Sequence, residues 1–548
     1  MRKIHINSNF AYIVVLSFFV FLRAWDTSSA QMPFNGWDEF NHIGVSYHVH
    51  LYNKMPVSTD HLSMDLFPLL RAHPHPTGSY PFFIGFAKLY PGAAIKDEHN
   101  VPFNEGHDKQ FDLYEAQHGP LFYHFLSKFV SGNDPHSLLA WIDTGRLFNC
   151  ILFVLTVIIW HFILANIFYK YDMPILLYGG TLLFASYSIS SFNFARFSND
   201  SFSLFFGSLA IYYYISYIKE KLKAGLNLLP VFFLGLLSGV AVLSKATVLI
   251  LIPTFIISIA IESFKHHRAR GLMSIIVFLS GYLILAGSYH LRNYETYGVI
   301  TGMQESVINS SHGQGTLDAL KLLPQLPWNI WNGNYSITKN PFFYNKFTFI
   351  GGWSDISNPL YLSIAYDYCI KICLLMIFLV FFIPDKRNIL FAVVHNNLEL
   401  PLAILFGFLG LLYHSLQSSL AYGMSSTGGW YGMLILPIIF SFLLLGPALF
   451  GKITSFFIFT YLALLFNYSH YLGIIDLLQK ETGINSVSAA INNIIAHHVI
   501  FKYSIFIPLI VESALIIALS LFCIMKIFRD THSRARVQDL DSGKLGLA

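Results

Sequence analysis

Apolar runs near twenty residues long recur about a dozen times along this chain of 548 residues, and no other feature limits its fold so strongly. A run of that length, wound as an α-helix with its backbone polar groups bonded internally, matches the hydrocarbon thickness of a bilayer. The runs fall near residues 10–25, 147–168, 173–193, 201–218, 228–244, 247–263, 272–290, 366–384, 399–421, 430–450, 453–470 and 504–527. With 54% hydrophobic and only 12% charged residues, the chain has too little polar surface to enclose them in water. It reads as an all-α polytopic membrane protein with about twelve transmembrane helices. Cys150, Cys369, Cys373 and Cys523 all lie inside apolar runs, as small buried hydrophobes rather than a disulfide framework.

Basic residues set the orientation. With a cytoplasmic N-terminus, the inside segments are the Lys170 turn, KEKLK at 219–223, KHHRAR at 265–270, DKR at 385–387, Lys452 and the tail with Lys526, Arg529, Arg534 and Arg536. Every strong basic cluster then lies inside, as the positive-inside rule requires. The net charge of +4 is spent on these topology signals, which argues against a nucleic-acid partner. Three larger segments fall outside: residues 26–146, 291–365 and 471–503. The first is too long for a mere connector, and GWDEFNHIGVSYHVHLY within it has the apolar spacing of an amphipathic helix.

The charged residues worth notice gather on that outer side. Asp38 and Glu39 open the amphipathic helix, with His42 on the same face as Asp38. A helix cap is the bland reading, and placement near membrane depth favours a site. YEAQHGPLFYHFL at 114–126 supplies Glu115 and His118 before a Gly119-Pro120 step that also suits a plain turn. ARFSND at 195–200 supplies Arg196 and Asp200, which also fit a cap. Lys245 and Arg292 close two apolar runs on the same side, as phosphate contacts or as interfacial anchors. Such a set suits a site that handles an anion and activates a hydroxyl.

The order of these stretches resembles the GT-C superfamily of polytopic glycosyltransferases, nearest the bacterial branch of protein mannosyltransferases, lipid A aminoarabinose transferases and the proteins labelled DUF2142. The stretches that carry the resemblance are WDEFNH, EAQHGPLFY, GRLFN at 145–149, RFSND, GLLSGVAVLSK, RNYETYG, FTFIGGWSD at 347–355 and GGWYGMLILP at 428–437, over roughly the first 440 residues. Two departures stand out: Gly119-Pro120 replaces the usual Pro-Pro, and Trp430 precedes Tyr431 where the family commonly has arginine.

The resemblance implies a GT-C fold in which residues 1–450 form the transmembrane catalytic module, with outside loops 26–146 and 291–365. Residues 451–548 would add the last helices, a short outside loop and a basic tail. It implies transfer of a sugar, with inversion, from a polyprenyl-phosphate-linked donor to a glycan, lipid or protein acceptor outside a bacterial inner membrane. Asp38 would be the general base, while Glu39 and Asp200 would orient the acceptor or hold a divalent cation such as Mg²⁺ or Mn²⁺. His42, Glu115, His118 and Tyr431 would line the substrate site, and Arg196, Lys245 and Arg292 would neutralise the leaving phosphate. Trp328, Trp331, Tyr335 and Trp353 would cover the site or form an aromatic belt. His73, His75, His99 and His107 match no standard zinc spacing. The rival readings are a transporter or flippase for lipid-linked saccharides, which would carry its acids near the bilayer midplane, and a glycan-binding relative without turnover.

Overall fold

The computed structural model describes residues 2–36, 38–66, 68, 69, 112–223, 228–266, 268–325, 359–423, 428–501 and 506–529, with short extended pieces at 75–76, 95–96, 349–351 and 356–357. Trp328, Trp331, Tyr335, Trp353, His73, His99 and His107 lie outside the described residues, and of His75 only the backbone is described. The extended pieces pair as His75–Pro76 with Ile95–Lys96 and Phe349–Gly351 with Ile356–Ser357.

Among the described residues the remaining regular elements are helical, in an integral-membrane bundle. In chain order the helices are α1 (Arg2–Ala30), α2 (Glu39–Tyr52), α3 (Leu121–Leu126), α4 (Pro135–Phe168), α5 (Ile175–Ser186), α6 (Ser188–Phe194), α7 (Asp200–Leu222), α8 (Leu229–Ser244) and α9 (Leu251–His266). They continue with α10 (Arg268–Tyr297), α11 (Gln304–Ser311), α12 (Leu360–Val380), α13 (Pro384–Asn396), α14 (Glu399–Tyr422), α15 (Leu436–Phe450), α16 (Lys452–Thr482), α17 (Val487–Ile495) and α18 (Phe506–Arg529).

Each of the twelve expected runs falls on one of these helices. Nine helices among the described residues are long and apolar enough to cross a membrane, and α5 with α6 makes a tenth span bent by 59°. The bend is at Tyr187, whose extended backbone (ψ 125°) interrupts the hydrogen-bond ladder. The other two expected spans, α8 and α15, have 16 and 15 residues. The short helices α13 and α17 were not anticipated, because neither carries an apolar run of spanning length.

Tight crossings hold the bundle. A Cβ on Gly235 of α8 would lie 2.1 Å from the Phe278 carbonyl oxygen of α10, and one on Gly281 would lie 2.3 Å from that of Phe232, so reciprocal glycines let these two backbones touch. α4 begins where Asp134 accepts hydrogen bonds from the His136 and Ser137 amides, with Pro135 in the first turn. One apolar core, running from Tyr12 to Ile527, includes residues of α1, α4, α16 and α18 alike. Because successive spans alternate in direction, the end of α1 and the starts of α4 and α7 meet the ends of α6, α8 and α10 at one end of the bundle.

Candidate functional site

Helix α2 is set into that end. Every residue from Glu39 to Tyr47 is buried, so a short polar helix lies among side chains rather than in water. Its first residue is held by an ion pair. Arg146, one turn inside the buried part of α4, donates from Nε to Glu39 Oε1 at 2.8 Å and from Nη2 to Oε2 at 2.6 Å. The amides of Phe197 and Gly36 fill the remaining lone pairs at 2.6 and 3.1 Å. The same guanidinium donates to the carbonyls of Ser28, Gln31 and Met32, at 3.2, 2.6 and 2.7 Å, and so fixes the chain between α1 and α2. Both side chains of the pair are fully buried. A planar, always-charged arginine meets a carboxylate in this two-pronged way as a lysine cannot.

Glu39 thereby fixes the position of its neighbour. Asp38 stands at the cap position of α2, but its backbone is left-handed (φ 54°) and its side chain makes no capping bond. The carboxylate turns instead toward Tyr114, whose hydroxyl donates to Oδ1 at 2.8 Å. Tyr114 is brought there because Asn41 grips the same loop, donating to the Asp112 carbonyl and accepting from the Glu115 amide, both at 2.8 Å. Asp38 alone among the three acids of its cluster is half-buried rather than closed off. Burial raises its pKa to about 6, and the charge of Glu115 adds to the rise, while Arg196, the Tyr114 hydroxyl and Lys245 oppose it.

Around Asp38 stand two further charged groups. His118 Nε2 is 2.6 Å from Glu115 Oε2, and His42 Nε2 is 4.0 Å from the same oxygen. Burial works most strongly against the ionised form of Glu115, yet its neighbours, His118 foremost and Lys245 among them, together outweigh it and hold the carboxyl well below its usual range. Burial also lowers His42 to about 3, so its ring is neutral, with Nδ1 2.9 Å from the Tyr123 hydroxyl. In the second group, Asp200 lies between two cations. Lys245 Nζ is 2.9 Å from Oδ1, and Arg196 bonds Oδ2 while also donating to Asn193 Oδ1 at 2.8 Å. Asn149 of α4 braces the turn by donating to the carbonyls of Arg196 and Ser198, at 2.6 and 3.1 Å. Lys245 reaches in from the extended residue (φ −159°) that breaks α8 from the turn before α9. One carboxylate against two cations leaves one positive charge in excess beside Asp38.

Seven of the residues singled out in the sequence therefore come together: Asp38, His42, Glu115, His118, Arg196, Asp200 and Lys245. Glu39 sits behind them in its sealed pair. Arg292 is turned away, donating to the carbonyls of Pro56 at 2.6 Å and Ala116 at 3.4 Å, and ties α10 to the first loop. Tyr431 packs on His414 with ring centroids 4.3 Å apart. Burial raises its hydroxyl pKa, and Glu305, Asp38, Glu115 and Asp200 are near enough to add to the rise. Gly119, where the family has proline, is required by packing: a Cβ there would lie 2.0 Å from the Leu243 carbonyl oxygen.

Arg146, Tyr114 and Asn41 were not singled out beforehand. Arg146 had a visible signal, an arginine at the head of the apolar run 147–168, in GRLFN. Tyr114 and Asn41 had none, since their partners lie more than seventy residues away in sequence.

The residues weighed for a divalent cation do not suit one. Glu39 is saturated by Arg146 and two amides, and Asp200 by Lys245 and Arg196, so a metal ion would have to displace a paired cation in either place. Among the described residues no three His, Cys, Asp or Glu side chains are grouped to hold a metal.

No family model matches the chain, and no curated protein matches it in sequence. Among solved structures, 94% of the chain aligns with the crystal structure of the Archaeoglobus fulgidus oligosaccharyltransferase tethered to an acceptor peptide containing the NVT sequon. The identity is 12%, the TM-score 0.35, and 55% of that chain is covered. The archaeal oligosaccharyltransferase AglB of the same organism, in complex with an inhibitory peptide and a dolichol-phosphate, aligns over 95% of this chain and 56% of its own, at 12% identity and a TM-score of 0.34. The chain spans a little over half the length of these proteins. The likenesses are distant, and no residue of the site is assigned through them.

Proposed function

We propose that this chain is an integral-membrane glycosyltransferase of the GT-C kind, which transfers a sugar from a polyprenyl-phosphate-linked donor to an acceptor hydroxyl. The observation that carries the reading is the state of Asp38: a half-buried carboxylate with its pKa raised to about 6, fixed by Tyr114, beside a cationic pair with one positive charge in excess. A base poised near the working pH takes a proton efficiently, and fixed positive charge stabilises a leaving phosphate.

The reaction is one inverting displacement. The acceptor oxygen bonds to the anomeric carbon as Asp38 removes its proton. The bond from that carbon to the phosphate oxygen breaks, and the electron pair leaves with the lipid phosphate, met by Lys245 and Arg196. Asp200 holds those two cations in place, and the Glu115–His118 pair shapes the same chamber. With the basic segments on the cytoplasmic face, the site opens on the extracytoplasmic side of a bacterial inner membrane. The acceptor is a cell-envelope glycan, a lipid or a protein.

The test is sugar transfer by the purified protein in detergent, supplied with a panel of polyprenyl-phosphate sugars and hydroxyl acceptors. Labelled product of inverted configuration supports the reading. Donor binding without transfer on any acceptor would favour the glycan-binding relative, and movement of intact lipid-linked saccharide across a reconstituted bilayer would favour the flippase.

A further inference from the structure

One cluster of buried charge has no part in that chemistry. Arg23 and Asp26, one turn apart on α1, face Glu512 on α18, and all three are completely buried. Arg23 donates from Nη1 to Asn467 Oδ1 of α16 at 2.7 Å. Its Nε is 3.6 Å from Glu512 Oε1, an ion pair too long for a hydrogen bond, and its Nε and Nη2 hydrogens find no acceptor. The carboxyl groups of Asp26 and Glu512 are near enough to interact, the Tyr471 hydroxyl approaches Glu512 as well, and none of the four carboxyl oxygens completes a hydrogen bond of normal length. The other groups facing the cluster are His470 and Tyr471 of α16 and Tyr366 of α12, all near Arg23. The Tyr471 hydroxyl pairs with Ser513 at 3.0 Å. From α4, Cys150 Sγ lies 3.4 Å from the Ser28 hydroxyl and Arg146 donates to the Ser28 carbonyl, so both are taken up one turn beyond the cluster.

The charge balance is decisive. Two adjacent carboxylates and one arginine leave an uncompensated negative charge where water does not reach, and two ionised carboxylates in contact repel. A single added proton removes both faults: it makes the cluster neutral and turns the contact between the acids into a hydrogen bond. We propose that Asp26 and Glu512 form a proton-binding site inside the bundle, holding one proton between them with Arg23 as counter-charge, and that this proton lets α18 dock on α1. The two helices pack along each other, so the site joins the beginning of the bundle to its end. It also bears on the outer site. Just before α18, His498 Nδ1 and the amides of Val499 and Ile500 bind Asp143 of α4, at 2.9, 2.7 and 2.8 Å, one turn from Arg146. The proposal does not rest on the transferase reading, since it concerns protonation and not turnover.

Infrared spectroscopy of the full chain in lipid nanodiscs, at mildly alkaline pH where Asp38 is ionised, tests it directly. The spectrum should contain a protonated-carboxyl band, and Asp26→Asn and Glu512→Gln should each remove one carboxyl equivalent from it while melting near the wild-type temperature, because an amide replaces a protonated acid. A wild-type spectrum without the band, or a band undiminished in both folded variants, overturns the proposal. If neither variant folds, the acid-for-acid variants Asp26→Glu and Glu512→Asp decide: a protonated-carboxyl band that keeps its area and shifts in frequency in either supports the site, and a band unmoved in both overturns it.

Discussion

Glu39→Gln separates a catalytic role for this carboxylate from a positioning one. Among the described residues, Glu39 is the one carboxylate hydrogen-bonded to the fully buried Arg146, through bonds of 2.8 and 2.6 Å. Neutralising it leaves a buried cation without its bonded counter-charge, with Asp143 and Glu481 acting only at longer range, a change of about 3–5 kcal/mol, whereas the same change in an exposed pair would cost about 0–1 kcal/mol. The amide nitrogen of glutamine also meets donors where the carboxylate met only acceptable partners, since Phe197 and Gly36 both present N–H groups. Arg146→Gln should cost as much or more, because the Ser28, Gln31 and Met32 carbonyls lose their donor as well. The double variant should then cost less than the sum of the two, since the second change removes an already unpaired charge. Unfolding in mixed micelles of increasing denaturing strength, followed by circular dichroism, gives all three values. A Glu39→Gln protein within about 1 kcal/mol of wild type, yet without activity, would refute the reasoning and return Glu39 to direct chemistry.

Other outcomes follow from the same geometry. Transfer should rise with pH and level off above about 6 as Asp38 ionises, and Tyr114→Phe, which removes a bond favouring the ionised form, should move the midpoint of the rate profile upward by about one unit. Because the folded pKa of Asp38 is raised, its stabilising contribution is present at acid pH and lost as pH rises through about 6; a melting-temperature profile of Asp38→Asn should lack that fall. Gly119→Ala should destabilise by about 1–3 kcal/mol in thermal unfolding, since its methyl group would meet the Leu243 backbone. Lys245→Met should weaken the use of donor about tenfold, read as kcat/KM, by removing the excess positive charge while Arg196 still pairs Asp200.

The helical plan was legible in the sequence because a bilayer demands long apolar runs, and hydropathy registers them directly. The gathering of the candidate residues was legible for a related reason: in a charge-poor chain, Asp38, Glu115, Arg196, Asp200 and Lys245 stand out, and topology puts them at one end. The roles were harder to read. Adjacent Asp38 and Glu39 look equivalent in a string of letters, and only the arrival of Arg146 from another helix distinguishes the sealed carboxylate from the accessible one. Arg292 fits a phosphate contact as well as any arginine until the carbonyls of Pro56 and Ala116 are seen to take its hydrogens. Nothing local links Asp26 to Glu512, which meet across nearly the whole chain.

The central claim is that Asp38 removes the acceptor proton, and one comparison tests it most directly. Wild-type and Asp38→Asn proteins, both folded and both shown to bind a polyprenyl-phosphate sugar, are given the same acceptor, and transferred sugar is counted. The account predicts transfer by the wild type and its loss in Asp38→Asn with donor binding intact. Full transfer by Asp38→Asn would contradict it.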